Sequence, residues 1–151
     1  MEYLDIYDEQ GNFLGTEERS VVHTKGLWHK TVHCWLYDKE GNIFFQRRAD
    51  RGTLYTTSSG HLSAGESVTE AFQREIKEEI GLDIDASDAI HVNVVPFQMD
   101  RIKEDGSVFR DRAFANVYVD LYEGDYKDFH MDESEVSGIV IVNAKHDLEF
   151  F

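Results

Sequence analysis

Residues 67–80, SVTEAFQREIKEEI, admit few ways of folding. Val68, Ala71, Phe72, Ile76 and Ile80 recur at the spacing of one helix face, and Gly81 supplies a stop. The acids of the same stretch do not keep to the opposite face. At about 100° per residue, with Glu75 set to zero, Glu78 falls at about −60° and Glu79 at about +40°. The apolar residues run from about −40° at Ala71 to about +140° at Ile80, so Glu79 points into the sector that must be buried. A buried carboxylate costs several kcal/mol unless it is paired, protonated or bound to a metal. Arg74 and Lys77 are the only cations on this helix, and neither lies in that arc. Something positive therefore has to be brought against Glu75, Glu78 and Glu79. A cluster of oxygen ligands with little nitrogen suits a hard divalent ion, Mg²⁺ or Mn²⁺.

The rest of the chain limits what such an ion could serve. With 151 residues there is room for one sizeable core, and residues 1–151 are expected to form a single domain that includes the N-terminal segment 1–28. A net charge of −15 argues against a nucleic acid polymer as partner. It is compatible with a cation, and with a small-molecule diphosphate held through that cation. No apolar run approaches the roughly 20 residues that cross a bilayer, so no membrane association is expected. The opening MEYLDIYDE is acidic where a signal peptide would be basic and then apolar. The one cysteine, Cys34, cannot form an internal disulfide, which points to a reducing, cytoplasmic location. A homodimer is compatible with all of this.

Strands surround the helix. LDIYDEQGNFLG predicts a hairpin turning at Gly11–Asn12. In HKTVHCWLY (29–37) Val32, Cys34 and Leu36 alternate with Thr31, His33, Trp35 and Tyr37, the pattern of a strand. DKEGN turns the chain into a return strand, IFFQRR (43–48). AIHVNVVPFQM and RAFANVYVDLY read as two further strands around KEDGS, with Pro96 marking a bend or an edge. VSGIVIV (136–142) has strand length, and NAKHDLEFF looks like the opening of a short helix. The expected class is mixed α/β.

Taken in order, Gly60, five residues, Glu66, seven residues, Arg74-Glu75-Ile76, one residue, Glu78-Glu79, one residue, Gly81-Leu82 resembles the Nudix box at every specified position. The resemblance implies an α/β/α sandwich with a mixed sheet and one catalytic helix. It also implies divalent-metal-dependent hydrolysis of a diphosphate linkage in a nucleoside diphosphate derivative or related pyrophosphate. Carried over, Glu75, Glu78 and Glu79 resemble the metal ligands, with the Gly60 carbonyl beside them. Glu66 and Arg74 resemble the pair that braces loop against helix. For the general base, Glu75 is one candidate and a glutamate of DESEV (132–136), Glu135, is another. Arg47, Tyr55 and His61 are candidate substrate contacts.

A narrower likeness lies outside the box. His23, His29 and His61, with Glu133 and Glu135, resemble the second metal site of bacterial isopentenyl-diphosphate isomerases, a branch of the same superfamily. That branch places a catalytic cysteine where this chain has Ser59, and a hydroxyl is a far weaker acid than a thiol. Cys34, on the apolar side of its strand, reads as core. Hydrolysis is therefore the preferred reading; isomerase activity and a non-catalytic nucleotide-binding module are the alternatives. His33, His91, His130, His146, Trp28 and Trp35 read as packing or surface residues.

Overall fold

The computed structural model describes residues 1–146. Its strands are β1 (Tyr3–Tyr7), β2 (Phe13–Glu18), β3 (Trp28–Tyr37), β4 (Asn42–Arg48), β5 (Leu54–Tyr55), β6 (Ser58–His61), β7 (Ile90–Ile102), β8 (Val108–Leu121) and β9 (Val136–Asn143). Two α-helices accompany them, α1 (Arg19–Lys25) and α2 (Val68–Ile80). No helix among the described residues is long and apolar enough to cross a membrane. Of the closing NAKHDLEFF, Asn143 ends β9 and residues 144–146 turn; the remainder lies outside the described residues.

Strand β3 organises the sheet. It runs parallel to β8 from Trp28↔Arg112 to Tyr37↔Leu121, and this pairing makes the sheet mixed. Along its other edge it meets three antiparallel partners in turn: β1 at Trp28, β6 from Thr31 to Cys34, and β4 at Leu36 and Tyr37. β9 extends the sheet beyond β4, and β7 pairs with β8 as an outer strand, where a proline costs no ladder bond. The two tight turns share one solution. Asp8 and Asp38 each accept backbone N–H groups two and four residues on, and Gly11 and Gly41 take positive φ.

Alternation along β3 separates core from site. Val32, Cys34 and Leu36 pack with Ala71, Phe72, Ile76 and Ile80 of α2. The other set, His29, Thr31 and His33, faces the opposite side, where His23 of α1 meets His29. Helix α2 begins at Ser67, whose hydroxyl accepts from the Glu70 N–H, and ends at Gly81 in the left-handed region. The longer strands and α2 match the sequence expectation; the two-residue β5 was not expected, and neither was α1. Only seven residues long, with Val22 and His23 alone buried and no side-chain cap, it is too short for periodicity to reveal. Packing against β8 and a left-handed stop at Gly26 hold it.

Candidate active site

Glu79, the carboxylate that the helix pattern sends inward, is 5% exposed. Its Oε1 accepts from the Ser58 hydroxyl at 2.7 Å and the Ser59 N–H at 2.8 Å, and Gln46 Nε2 lies 3.4 Å from Oε2. These donors come from β6 and β4, which converge on the C-terminal half of α2. Burial pushes the Glu79 carboxyl up, the three donors pull it down, and Glu135 nearby pushes it up again; the net direction is up. Glu75 is pushed up to about 7, chiefly by burial, against the pull of Arg74 and with a further push from Glu79 and Glu78.

Arg74 ties the loop to the helix. It grips Glu66 through Nε at 2.7 Å and Nη2 at 2.9 Å, and donates to the His61 carbonyl at 2.9 Å. Its Nη1 reaches Glu75 at 2.8 Å and Glu78 at 3.2 Å. The Glu66 carboxyl is pushed up by burial, but the guanidinium and the Ser63 N–H outweigh that and hold it below the ordinary range. Arg74 is thus committed to holding the glutamates in place. It leaves the charge of the group uncompensated: one guanidinium faces Glu66, Glu75 and Glu78, and does not reach Glu79.

Glycine at position 60 has a steric reason. A Cβ there would fall inside van der Waals contact with the Glu75 carboxyl. The backbone of β6 and the Glu75 carboxylate are therefore in direct apposition, and the clustered carboxylate oxygens are a donor set that a hard divalent ion fits. Gly60→Ala should displace Glu75 and shrink the rise in melting temperature that Mn²⁺ produces. An unchanged rise in that variant would contradict the arrangement.

Glu75 also makes stability depend on pH. In the metal-free protein an unfolded Glu75 loses its proton at the ordinary 4.5, while the folded one keeps it to about 7. The contribution of Glu75 to stability is therefore most favourable below 4.5, falls as pH rises between the two values, and is constant above. Melting in chelator should show Glu75→Gln gaining on the wild type across that window, with Mn²⁺ reversing the gain. A gap between the two proteins that stays constant with pH would count against a raised Glu75.

The glutamates form one end of a cavity of about 420 Å³. Thr31, Ala113 and Ala115 lie along it, and Tyr55, His33, Arg48 and Phe97 also line it. Ala113 and Ala115 are buried and small, which leaves the space open. The Tyr55 hydroxyl lies 3.5 Å from His33 Nε2, and Arg48 stands 5.7 Å from the Tyr55 ring centre. Arg47 does not line this cavity; it is exposed and donates to the Gly52 carbonyl at 3.0 Å. Period-two alternation on β4 gives the reason, since Gln46 touches Glu79 and so Arg48, not Arg47, shares its side. Arg48 is held by Asp50 through two contacts of 3.0 Å.

His23, His29 and His61 converge, with ligand atoms within 4.8 Å of one another. Glu133 and Glu135 do not join them. Glu135 lines the main cavity near Glu79, because β9 follows it and pairs with β4. Glu133 is exposed and lines neither that cavity nor the histidine cluster. The carboxylate beside the histidines is Asp111, 3.4 Å from His29 Nε2 and 3.8 Å from His23 Nε2. Parallel pairing of His29 with Ala113 brings it there. Among the described residues His23 Nε2, His29 Nε2 and Asp111 Oδ1 are buried without a hydrogen-bond partner. His29 Nδ1 lies 3.1 Å from the Leu27 carbonyl, which can only accept, so its Nε2 presents a lone pair. Burial is the first cause lowering all three histidines, His23 to about 4. Neutral imidazoles with orphaned lone pairs beside a carboxylate are suited to a transition-metal ion.

Asp111, His33, Arg48 and Gln46 were not picked out by the sequence reading. Gln46 and Arg48 carried the alternation signal of β4, whereas Asp111 carried none, since only the crossover from β3 to β8 sets it beside His29.

Comparison with known proteins agrees with this geometry. A family model described as the NUDIX domain matches residues 27–146. An uncharacterized Nudix hydrolase of Clostridium acetobutylicum is 32% identical over 149 residues, covering 92% of this chain and 68% of that protein. Nudix hydrolase 3 of Arabidopsis thaliana is 30% identical over 152 residues, covering 93% of this chain but 19% of that longer protein. An isopentenyl-diphosphate Delta-isomerase of Serratia proteamaculans is 30% identical over 131 residues, covering 82% and 68%. Among solved structures, DR0079 from Deinococcus radiodurans superposes with a TM-score of 0.70 at 22% identity, covering 98% of this chain and 86% of that one. The dihydroneopterin triphosphate pyrophosphohydrolase of E. coli gives 0.58 at 17% identity, covering 79% and 83%.

Proposed function

The chain belongs to the Nudix family, and on that premise we propose that it hydrolyses a diphosphate linkage in a nucleoside diphosphate derivative or a related small pyrophosphate. The observation that carries the reading is Glu79, buried yet ionisable, in one cavity with Glu75, Glu78 and the Gly60 backbone. Glu75, Glu78, Glu79 and the Gly60 carbonyl would hold Mg²⁺ or Mn²⁺. Such an ion would supply charge neutralisation at the pyrophosphate oxygens and would orient a water for attack.

The protein's own part is placement. Ser58, the Ser59 N–H and Gln46 fix Glu79; Arg74 fixes Glu75 and the loop. Two carboxylates stand ready to take a proton from the attacking water. Glu75 is one, and Glu135, which lines the same cavity from the loop before β9, is the other. Tyr55, His33, Arg48 and Phe97 would receive the group beyond the diphosphate, with His61 shared between this cavity and the histidine cluster. His23, His29, His61 and Asp111 would hold a second ion. We take residues 1–151 as one domain, because β1 pairs with β3 and the Tyr3 carbonyl accepts from Ala64 N–H at 2.8 Å, and the single cysteine is our ground for a cytoplasmic location.

Isomerase chemistry has less support. Ser59 lines the cavity where a thiol would be needed, and Cys34 is sealed in the core, its thiol pushed up by burial. The test is a panel of nucleotide sugars, dinucleotides, nucleoside triphosphates and isoprenyl diphosphates, scored for phosphate release with Mg²⁺ and with Mn²⁺. Release from at least one class, abolished by chelator, is expected. Dimethylallyl product from isopentenyl diphosphate would favour the isomerase. Saturable nucleotide binding without release across the panel would favour a binding module.

A further inference from the structure

A second cavity, about 430 Å³, opens between α1 and the β7–β8 hairpin. It is lined by Arg19, Lys103 and Arg110, together with His23, Phe109 and the turn residues Gly106 and Ser107. No carboxylate lines it. In a chain with 30 acids against 15 lysines and arginines this is an anomaly of charge. Arg101, outside this lining, stands 5.2 Å from the Phe109 ring centre, and Lys103 stands 5.7 Å from the same ring.

These charges are only partly compensated. Arg19 pairs with Glu2 at 2.9 Å, at an exposed position. Lys103, Arg101 and Arg110 make no ion pair within 4 Å among the described residues, although Asp105 faces Lys103 and Asp100 faces Arg110 at longer range. Arg110 is set in place beforehand: its Nη1 donates to the Thr24 carbonyl at 2.7 Å, and the turn at Gly26 packs on its Cβ. A guanidinium fixed in this way loses little freedom on meeting a ligand. On the inner wall lies His23, 5% exposed, stacked on Phe109 at 4.3 Å and carrying an unpartnered Nε2.

We propose that this cavity is a second anion site, built for the phosphate group of a small molecule and separate from the carboxylate cradle. Three cations around a concavity match the charge and the many acceptor oxygens of a phosphate. The volume of about 430 Å³ is in the range of small-molecule pockets. The site also borders the histidine cluster. Arg19 lines both cavities, and His23 is shared between the second cavity and the cluster. A phosphate bound here would touch the wall whose other side carries His61 and Asp111, which line the main cavity.

The test uses the full chain in chelator, where the carboxylate cradle repels anions, so the result does not depend on the hydrolase reading. Inorganic phosphate and adenosine 5′-monophosphate are titrated while the backbone amides are followed by NMR. Saturable shifts at Gly106, Ser107, Val108 and Phe109 are expected, weakened at least tenfold by Lys103→Glu, an exposed change that leaves the melting temperature in place. Absence of a saturable shift there, or equal affinity in the variant, overturns the proposal. So does a pentaglutamate peptide that binds more tightly than either phosphate, since that would mark a protein-docking patch. A protein with these shifts but no activity on any diphosphate would retain the anion site and lose the hydrolase reading.

Discussion

Glu79→Gln is expected to lower turnover of a diphosphate substrate by about three orders of magnitude while the protein stays folded, a loss in the range seen when one preorganised electrostatic contact is removed. The fold survives because the substitution keeps the shape and an oxygen acceptor for the Ser58 hydroxyl and the Ser59 N–H. It also removes a charge whose burial is unfavourable, so the metal-free variant should melt no lower than the wild type. What disappears is the charge facing the ion. The rise in melting temperature on adding Mn²⁺ should shrink along with kcat, because binding to the folded state alone is what produces that rise. Glu78→Gln follows the same direction. Wild-type turnover in both variants would remove the metal-dependent hydrolase reading, whereas lost turnover in an unfolded protein would not support it; the melting curve tells the two apart.

Arg74→Met should be the most damaging single change to the loop–helix joint. It deletes five hydrogen bonds, to Glu66 twice, Glu75, Glu78 and the His61 carbonyl. Glu66 and Glu75, with side chains 13% and 12% exposed, would be left without a counter-charge. Removing one partner from a buried pair costs about 3–5 kcal/mol. Arg74 is itself 30% exposed, so the lower figure applies, about 3 kcal/mol. For a chain of this length that is roughly a 10 °C drop in melting temperature. Turnover should fall by at least 100-fold as Glu75 loses its alignment. Arg74→Lys should recover part of the stability but not the fork that holds Glu66 through two nitrogens. Lys77→Met is the control: Lys77 pairs with Asp83 across exposed surface, and its loss should move stability by less than about 0.5 kcal/mol. Equal effects at the two positions would show that Arg74 is only a surface charge.

The legible part of this protein was local. Helix α2 announced itself because its apolar residues and its stop follow a 3.6-residue period, and that period also exposed Glu79 as misplaced. Strand β3 declared its two faces by alternation, and Cys34 was assigned to the core on that ground. Alternation on β4 held one further fact, that Arg48 and Gln46 share a side, but choosing which side needs the pairing with β9 and the approach of α2. The arginine that faces the cavity is accordingly Arg48 and not Arg47. Helix α1 was out of reach, since seven residues with two buried side chains carry no measurable period.

By itself the sequence determined which residues must escape water and which acids would be forced in with them, because helix and strand periods are properties of neighbouring residues. Only the tertiary structure decided who stands opposite whom. Asp111 reaches His23 and His29 through a parallel crossover spanning some eighty residues, Glu135 goes to Glu79 instead of the histidines, and the basic cavity forms where α1 meets a distant hairpin. Such contacts depend on how strands pair across the sheet, and pairing is fixed by burial of the whole core and not by any local run of residues.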